Sequence, residues 1–143
     1  MIAPDANLLI FAHDPVSPFH RKSRAWLEDI LSSLEPVGFP ILSLQGFLRF
    51  VTNPSLASTP ITFQQGADII NSWMALPHVR ILYPGERHWQ LLQQLSQQVI
   101  LRGNLITDAA FAAIAQECGA TVYSHDRDFA RFPNLSWQNP LQP

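Results

Sequence analysis

The chain has 143 residues, 47% apolar and only 14% charged, with a formal net charge of −2 at pH 7. That length fits one ordinary domain with enough apolar side chains for a real core. The near-neutral charge removes any bulk signal for nucleic-acid binding, so a chain acting on nucleic acid here needs local basic residues or bound metal.

Ile2-Ala3-Pro4 reads as a short buried strand, since proline is tolerated near a strand end. Asp5 follows, and residues 7–13 read as a short apolar helix stopped at Asp14-Pro15. Ser17 and Pro18 open a second helix to about residue 34, with Phe19, Ala25, Trp26, Ile30, Leu31 and Leu34 at loosely helical spacing. Residues 35–38 read as a break and residues 39–42 as a short strand. Residues 44–51 read as a helix stopped at Thr52-Asn53-Pro54. After a loop over 55–61, Thr62 can cap a helix to about residue 76. Residues 79–83 read as a strand, and Pro84-Gly85 turns into a helix over 86–101. Gly103-Asn104 breaks it. An alanine-rich helix over 105–118 ends at Gly119, a natural residue for leaving a helix. Residues 120–124 form the next strand. The tail, 129–143, is turn-rich with one short strand near 135–137.

Strands thus alternate with helices, some in pairs, over one domain spanning 1–143. The expected class is α/β, with a mainly parallel sheet between helices on both faces. Cys118 is the single cysteine, so no internal disulfide forms. The start Met-Ile-Ala-Pro-Asp lacks the basic segment of a signal peptide, and no apolar run approaches the ~18 residues of a membrane span. The expectation is a soluble cytoplasmic protein with no membrane contact. Charged residues fall below the roughly 25% of typical domains. Either a large core or apolar surface covered by a partner accounts for that.

Four acids, Asp5, Asp108, Asp126 and Asp128, sit beside segments that read as core. Such acids are costly unless something positive neutralises them. Sites in open parallel sheets form beyond the carboxyl ends of the strands. Asp5 follows the first strand and Asp126 the strand over 120–124. If those strands are neighbours, both acids point into one crevice, and Asp108 at a helix start can face it. Carboxylates are hard oxygen ligands suited to Mg²⁺ or Mn²⁺. Taken singly, each acid has a simpler reading: Asp5 as a helix cap, Asp108 as a first-turn acid, and Asp126 with Asp128 as an Asx turn.

Several segments resemble one family. Asp5-Ala-Asn-Leu-Leu-Ile resembles the opening D-x-N-x-L-I of PIN-domain nucleases. Phe47-Leu-Arg-Phe-Val-Thr-Asn-Pro54 resembles the F-L-R-x-x-T-N-P segment of VapC-type toxins, and Leu105-Ile-Thr-Asp108-Ala their third acidic motif. Residues 124–132, Ser-His-Asp-Arg-Asp-Phe-Ala-Arg-Phe, with 135–141, Leu-Ser-Trp-Gln-Asn-Pro-Leu, resemble their C-terminal motif. The resemblance implies a three-layer α/β/α PIN-like fold and a metal-dependent ribonuclease, usually the toxin of a toxin–antitoxin pair. It implies Asp5, Asp108 and Asp126 as catalytic, metal-binding acids, with Asp128 as a fourth ligand and Mg²⁺ or Mn²⁺ as cofactor. It also implies an RNA substrate, a small cognate antitoxin and a homodimer. Asn7, Thr107 and Ser124 fall where polar neighbours orient the acids; capping and turn chemistry explain them equally well. Arg49 and Arg127 are candidate RNA contacts, and solvated faces or ion pairs are their simpler reading.

One position departs from the family. Its members commonly carry Glu immediately before F-L-R, and here that residue is Gly46, preceded by Gln45. Glycine supplies no ligand, so a second metal is in question, and a catalytically degenerate binding module is the competing reading. His125 reads as a turn residue. A receiver-like domain and a dehalogenase-like phosphatase fit poorly: the only lysine, Lys22, lies inside a helix, and Asn7 occupies the second place of a D-x-D pair. No phosphate-binding G-x-x-x-x-G-K loop or G-x-S-x-G elbow is present.

Overall fold

A computed structural model describes residues 1–142. Strands β1 (Ile2–Pro4), β2 (Val37–Pro40), β3 (Val79–Leu82), β4 (Thr121–Tyr123) and β5 (Trp137–Gln138) form one sheet in the order β3-β2-β1-β4-β5. Every pairing is parallel. The helices are α1 (Ala6–His13), α2 (His20–Ser32), α3 (Ile41–Val51), α4 (Phe63–Met74), α5 (His88–Ser96) and α6 (Asn104–Cys118). A short 3-10 turn covers Arg127–Arg131.

The strands are short, and both faces are covered, as parallel sheets require. Side chains alternate between the faces. Ile2, Val79 and Tyr123 pack with α1–α4, together with Phe39, Phe47 and Trp73. Ala3, Leu82 and Val122 pack with α5 and α6. Ala109, Ala112, Ala113 and Ala115 on α6 are wholly buried, so small side chains bring that helix close to the sheet. The three-layer α/β/α architecture expected from the sequence is the one observed.

Element boundaries differ in several places. β2 begins two residues before the predicted strand, because Val37 and Gly38 pair with Val79 and Arg80 on β3. Ile41 and Leu42, read as strand, form the first turn of α3. Gly38 reads as a breaker in sequence, yet here it solves a packing problem: a Cβ at this position would lie 2.7 Å from the Leu82 side chain. α5 stops at Ser96 rather than 101, since the chain turns at Gln97 and Gln98 and returns Val99 and Leu101 to the core. α2 is shorter at both ends, and Leu34, expected on its apolar face, is 93% exposed. The predicted tail strand lies slightly later, at β5, and Pro143 falls outside the described residues. Thr62 caps α4 as expected, in a reciprocal box with Gln65.

Leu82 is buried, so it has little room to yield to a larger neighbour. Gly38→Ala is expected to destabilise the fold by about 1–3 kcal/mol through overpacking, as measured by urea unfolding.

Candidate metal centre

β1 and β4 are neighbours in register, Ile2 beside Thr121 and Pro4 beside Tyr123. The chain winds from β1 outward through β2 and β3, then returns to the other side of β1 as β4. That reversal leaves a crevice at the carboxyl ends of the two strands. The Asp5 N–H extends the pairing by donating to the Tyr123 carbonyl at 2.9 Å. Asp5 and Ser124 therefore leave the sheet side by side.

The Ser124 hydroxyl is fully buried and ties this junction together. It donates to Asp5 Oδ2 at 2.7 Å and accepts from Asn7 Nδ2 at 3.1 Å and from the Asp126 N–H at 2.9 Å. One donor and two acceptor positions are all that a hydroxyl offers, so its capacity is used in full. Asp5 Oδ1 accepts from the Ala6 N–H at 2.7 Å, so Asp5 also caps α1. Asp126 Oδ1 accepts from the Asp128 N–H at 2.9 Å and starts the 3-10 turn. The capping and turn roles open to these residues in sequence are realised, and they orient the carboxylates.

Asp108, Asp126 and Asp128 each present an oxygen within 4.8 Å of the others. Asp5 is outside that tight group, although its charge is felt by Asp108. Asp108 lies one turn inside α6, which begins at Asn104, so its simpler reading as a first-turn acid does not hold. Burial, then repulsion from Asp126, Asp5 and Asp128, raises its pKa from 3.8 to about 6. Burial also raises Asp5, against the pull of its bonds to Ser124 and Ala6. Among the described residues, the only ion pair reaching this group is Arg131 to Asp128 at 3.7 Å, on an exposed rim. The donor set is all carboxylate oxygen, converging and largely uncompensated. It fits a hard divalent cation.

A profile of the PIN domain matches residues 2–135. The chain belongs to the PIN-domain family. Ribonuclease VapC43 of Mycobacterium tuberculosis is 40% identical over 141 residues, covering 99% of this chain and 96% of that protein. Ribonuclease VapC33 of the same species is 34% identical over 142 residues, 99% of each chain. Among solved structures, VapBC2 from Rickettsia felis, bound to a DNA fragment from its promoter, superposes with a TM-score of 0.70 at 19% identity. It covers 97% of this chain and 98% of that one. M. tuberculosis VapC20, a sarcin–ricin loop cleaving toxin, gives 0.66 at 14% identity, covering 95% and 99%. These superpositions bear out the expected PIN fold.

In this PIN domain the remaining predicted residues separate. Asn7 and Ser124 join the acids. Thr107 is exposed and makes no side-chain hydrogen bond to an acid among the described residues. Arg49 and Arg127 are exposed and form no ion pair among the described residues. Gln45 is exposed. Gly46 lies on α3 against the start of α1, where an added Cβ would stand 3.0 Å from that of Ala6. A larger residue there crowds the residue that follows Asp5. Trp73 is core and stacks on Phe39, Trp26 stacks on Tyr123, and Trp89 is exposed.

Two supports carried no role in the sequence reading. Ser43 Oγ donates to the Pro4 carbonyl at 2.7 Å in the core, fastening α3 to the end of β1. Trp137 Nε1 donates to the Ser124 carbonyl at 3.2 Å, and the Ser124 N–H donates to the Gln138 carbonyl at 3.0 Å. The segment after β4 is thereby clamped from the far end of the chain. The Trp-Gln-Asn-Pro-Leu motif was the available signal for the second support.

Ser124→Ala leaves Asn7 and Asp5 without their shared partner. It is expected to cost about 1–3 kcal/mol in urea unfolding. Asp108 gives a pH prediction. Its raised pKa contributes stability that is fully present below 3.8 and lost as pH rises through about 6. Without divalent ions at neutral pH, Asp108→Asn should therefore be the more stable protein. Discounted for solvent screening, the gain is about 1 kcal/mol. Calorimetric Mn²⁺ affinity of the unsubstituted protein should fall as pH drops through that same value, because protons compete for the oxygens.

Proposed function

We propose that the protein is an Mg²⁺- or Mn²⁺-dependent endoribonuclease acting as one PIN-like domain, the toxin of a toxin–antitoxin pair. The observation that carries this reading is the convergence of Asp108, Asp126 and Asp128 beside Asp5 at the β1–β4 crevice. Full-length relatives named as ribonucleases support the substrate class, and the VapBC neighbour supports a small antitoxin partner.

In this reading Asp5, Asp108 and Asp126 are the catalytic acids and, with Asp128, hold the cation. The cation, when bound, supplies counter-charge to the phosphate and activates the attacking water. The chain's own work is positioning. Asp5 is held by two hydrogen bonds, yet a carboxylate retains further lone pairs for a ligand. Ser124 and Asn7 keep Asp5 and Asp126 at fixed separation. Thr107, exposed as it is, acts at most on the rim of the site. Arg49 and Arg127, exposed and without an ion pair among the described residues, offer guanidinium groups to phosphates of the RNA backbone. In this reading the protein works in the cytoplasm as a homodimer. Separately, no helix among the described residues is long and apolar enough to cross a membrane.

A non-catalytic RNA- or protein-binding module is the second reading, and Gly46 favours it by leaving the usual Glu position without a ligand. Cleavage of structured RNAs in Mg²⁺ or Mn²⁺ separates the two. Asp5→Ala, Asp108→Ala and Asp126→Ala should each lower the rate at least about 100-fold, on the scale of losing one group that stabilises the transition state. Chelation should abolish cleavage. Pure protein that cuts no RNA in either metal supports the module instead.

A further inference from the structure

His125, read from sequence as a turn residue, is built into a cage. Its ring lies 4.4 Å from that of Phe19, tilted by 48°, and 5.9 Å from Phe11, edge-on at 76°. Its Nδ1 is 3.3 Å from Asn139 Nδ2. The orientation of the Asn139 amide is decided by its other end: Oδ1 accepts from the Leu141 N–H at 3.0 Å, and a backbone N–H can only donate. Nδ2 therefore faces the histidine as a donor, and Nδ1 must accept. The ring proton is left on Nε2.

Nε2 has no hydrogen-bond partner among the described residues. The polar side-chain atoms there that are both buried and unpartnered are Ser23 Oγ and His88 Nδ1. Nε2 is not among them, so it is not wholly buried. His125 directly precedes Asp126, so the two Cα atoms are about 3.8 Å apart. The ring is carried by the loop that carries Asp126, and that loop is anchored on one asparagine: the His125 N–H donates to Asn7 Oδ1 at 3.5 Å, and Asn7 Nδ2 donates to Ser124 Oγ at 3.1 Å. Phosphate oxygens approaching this loop need donors, because the acids beside it bring negative charge. The opposite tautomer would present a lone pair and repel them.

We propose that His125 is a substrate-binding residue. Its Nε2–H donates to a phosphate oxygen of the nucleotide beside the bond that is cut, and Asn139 is the positioning residue that fixes the tautomer. The inference rests on the ribonuclease reading above.

The test is steady-state cleavage of a fluorescein-labelled stem–loop RNA in Mn²⁺, with His125→Phe, His125→Gln and Asn139→Ala. Phenylalanine keeps the ring packing and loses the donor; glutamine restores a donor of similar reach. His125→Phe should raise KM about tenfold, the worth of one hydrogen bond to a charged group, with kcat little changed. His125→Gln should recover most of that loss. Mn²⁺ affinity measured without RNA should be the same in all three. Imidazole ¹⁵N spectra should show His125 protonated at Nε2 in the unsubstituted protein and as mixed tautomers in Asn139→Ala, which should raise KM by a smaller factor. That variant also carries the test if the phenylalanine form does not fold. Parity of His125→Phe with the unsubstituted enzyme, a fall in kcat alone, loss of Mn²⁺ affinity, or an unchanged ¹⁵N spectrum in Asn139→Ala overturns the inference while cleavage stands. Unsubstituted protein that neither binds nor cuts RNA overturns both readings.

Discussion

One buried hydroxyl holds the ends of β1 and β4 in a fixed relation, and the site depends on it. Ser124 donates a hydrogen bond to Asp5 and accepts one from Asn7 and one from the Asp126 backbone. Residues more than a hundred positions apart in sequence thereby share one oxygen. Because every hydrogen-bonding position on that oxygen is filled, the junction has no alternative arrangement of equal energy. Buried networks satisfied in this way specify one geometry.

The acids pull the other way. Burial and mutual repulsion make Asp108 hold its proton into the near-neutral range, so the folded chain without a cation works against its own charge. Stability is supplied elsewhere: by the alanine face of α6, by the aromatic packing of Phe39, Phe47 and Trp73, and by the capped helices. Perturbed acids beside a crevice are a common mark of functional sites. The same charges would set an added cation and an added proton in competition for the same oxygens.

Support for the site comes from both ends of the chain. β1 carries Asp5 into the crevice from the first residues, and β5 with Trp137 and Asn139 braces the loop after β4 from the last ones. α3 is fastened to β1 through Ser43 and approaches α1 closely at Gly46. Asp5 follows β1, Asp126 follows β4, Asp108 sits one turn inside α6 and Asp128 lies in the 3-10 turn, so packed elements from across the chain support the group. Metal sites and phosphate sites both need that kind of shell.

Much of the fold was legible in the sequence. Short apolar runs alternating with helical spacing, Thr62 as a cap, Gly119 as a helix end and Asp14-Pro15 as a stop all express local chemistry, and the structure agrees with them. The four acids were legible as well, because a carboxylate next to core demands a reason. Tertiary structure decided the rest. Gly38 belongs to a strand because Leu82 occupies the space a side chain would need. Asp128 joins Asp108 and Asp126 in the tight group while Asp5 stands beside it, since lateral distances follow from strand pairing and helix placement. Thr107 points to solvent because its position on α6 turns it away from the sheet. The tautomer of His125 depends on an asparagine fourteen residues later, whose own orientation is set by a backbone N–H. Residue types and spacing state which groups a chain can offer; only the packed fold determines which of them meet, because contacts between distant segments are made by the sheet order and not by the chain.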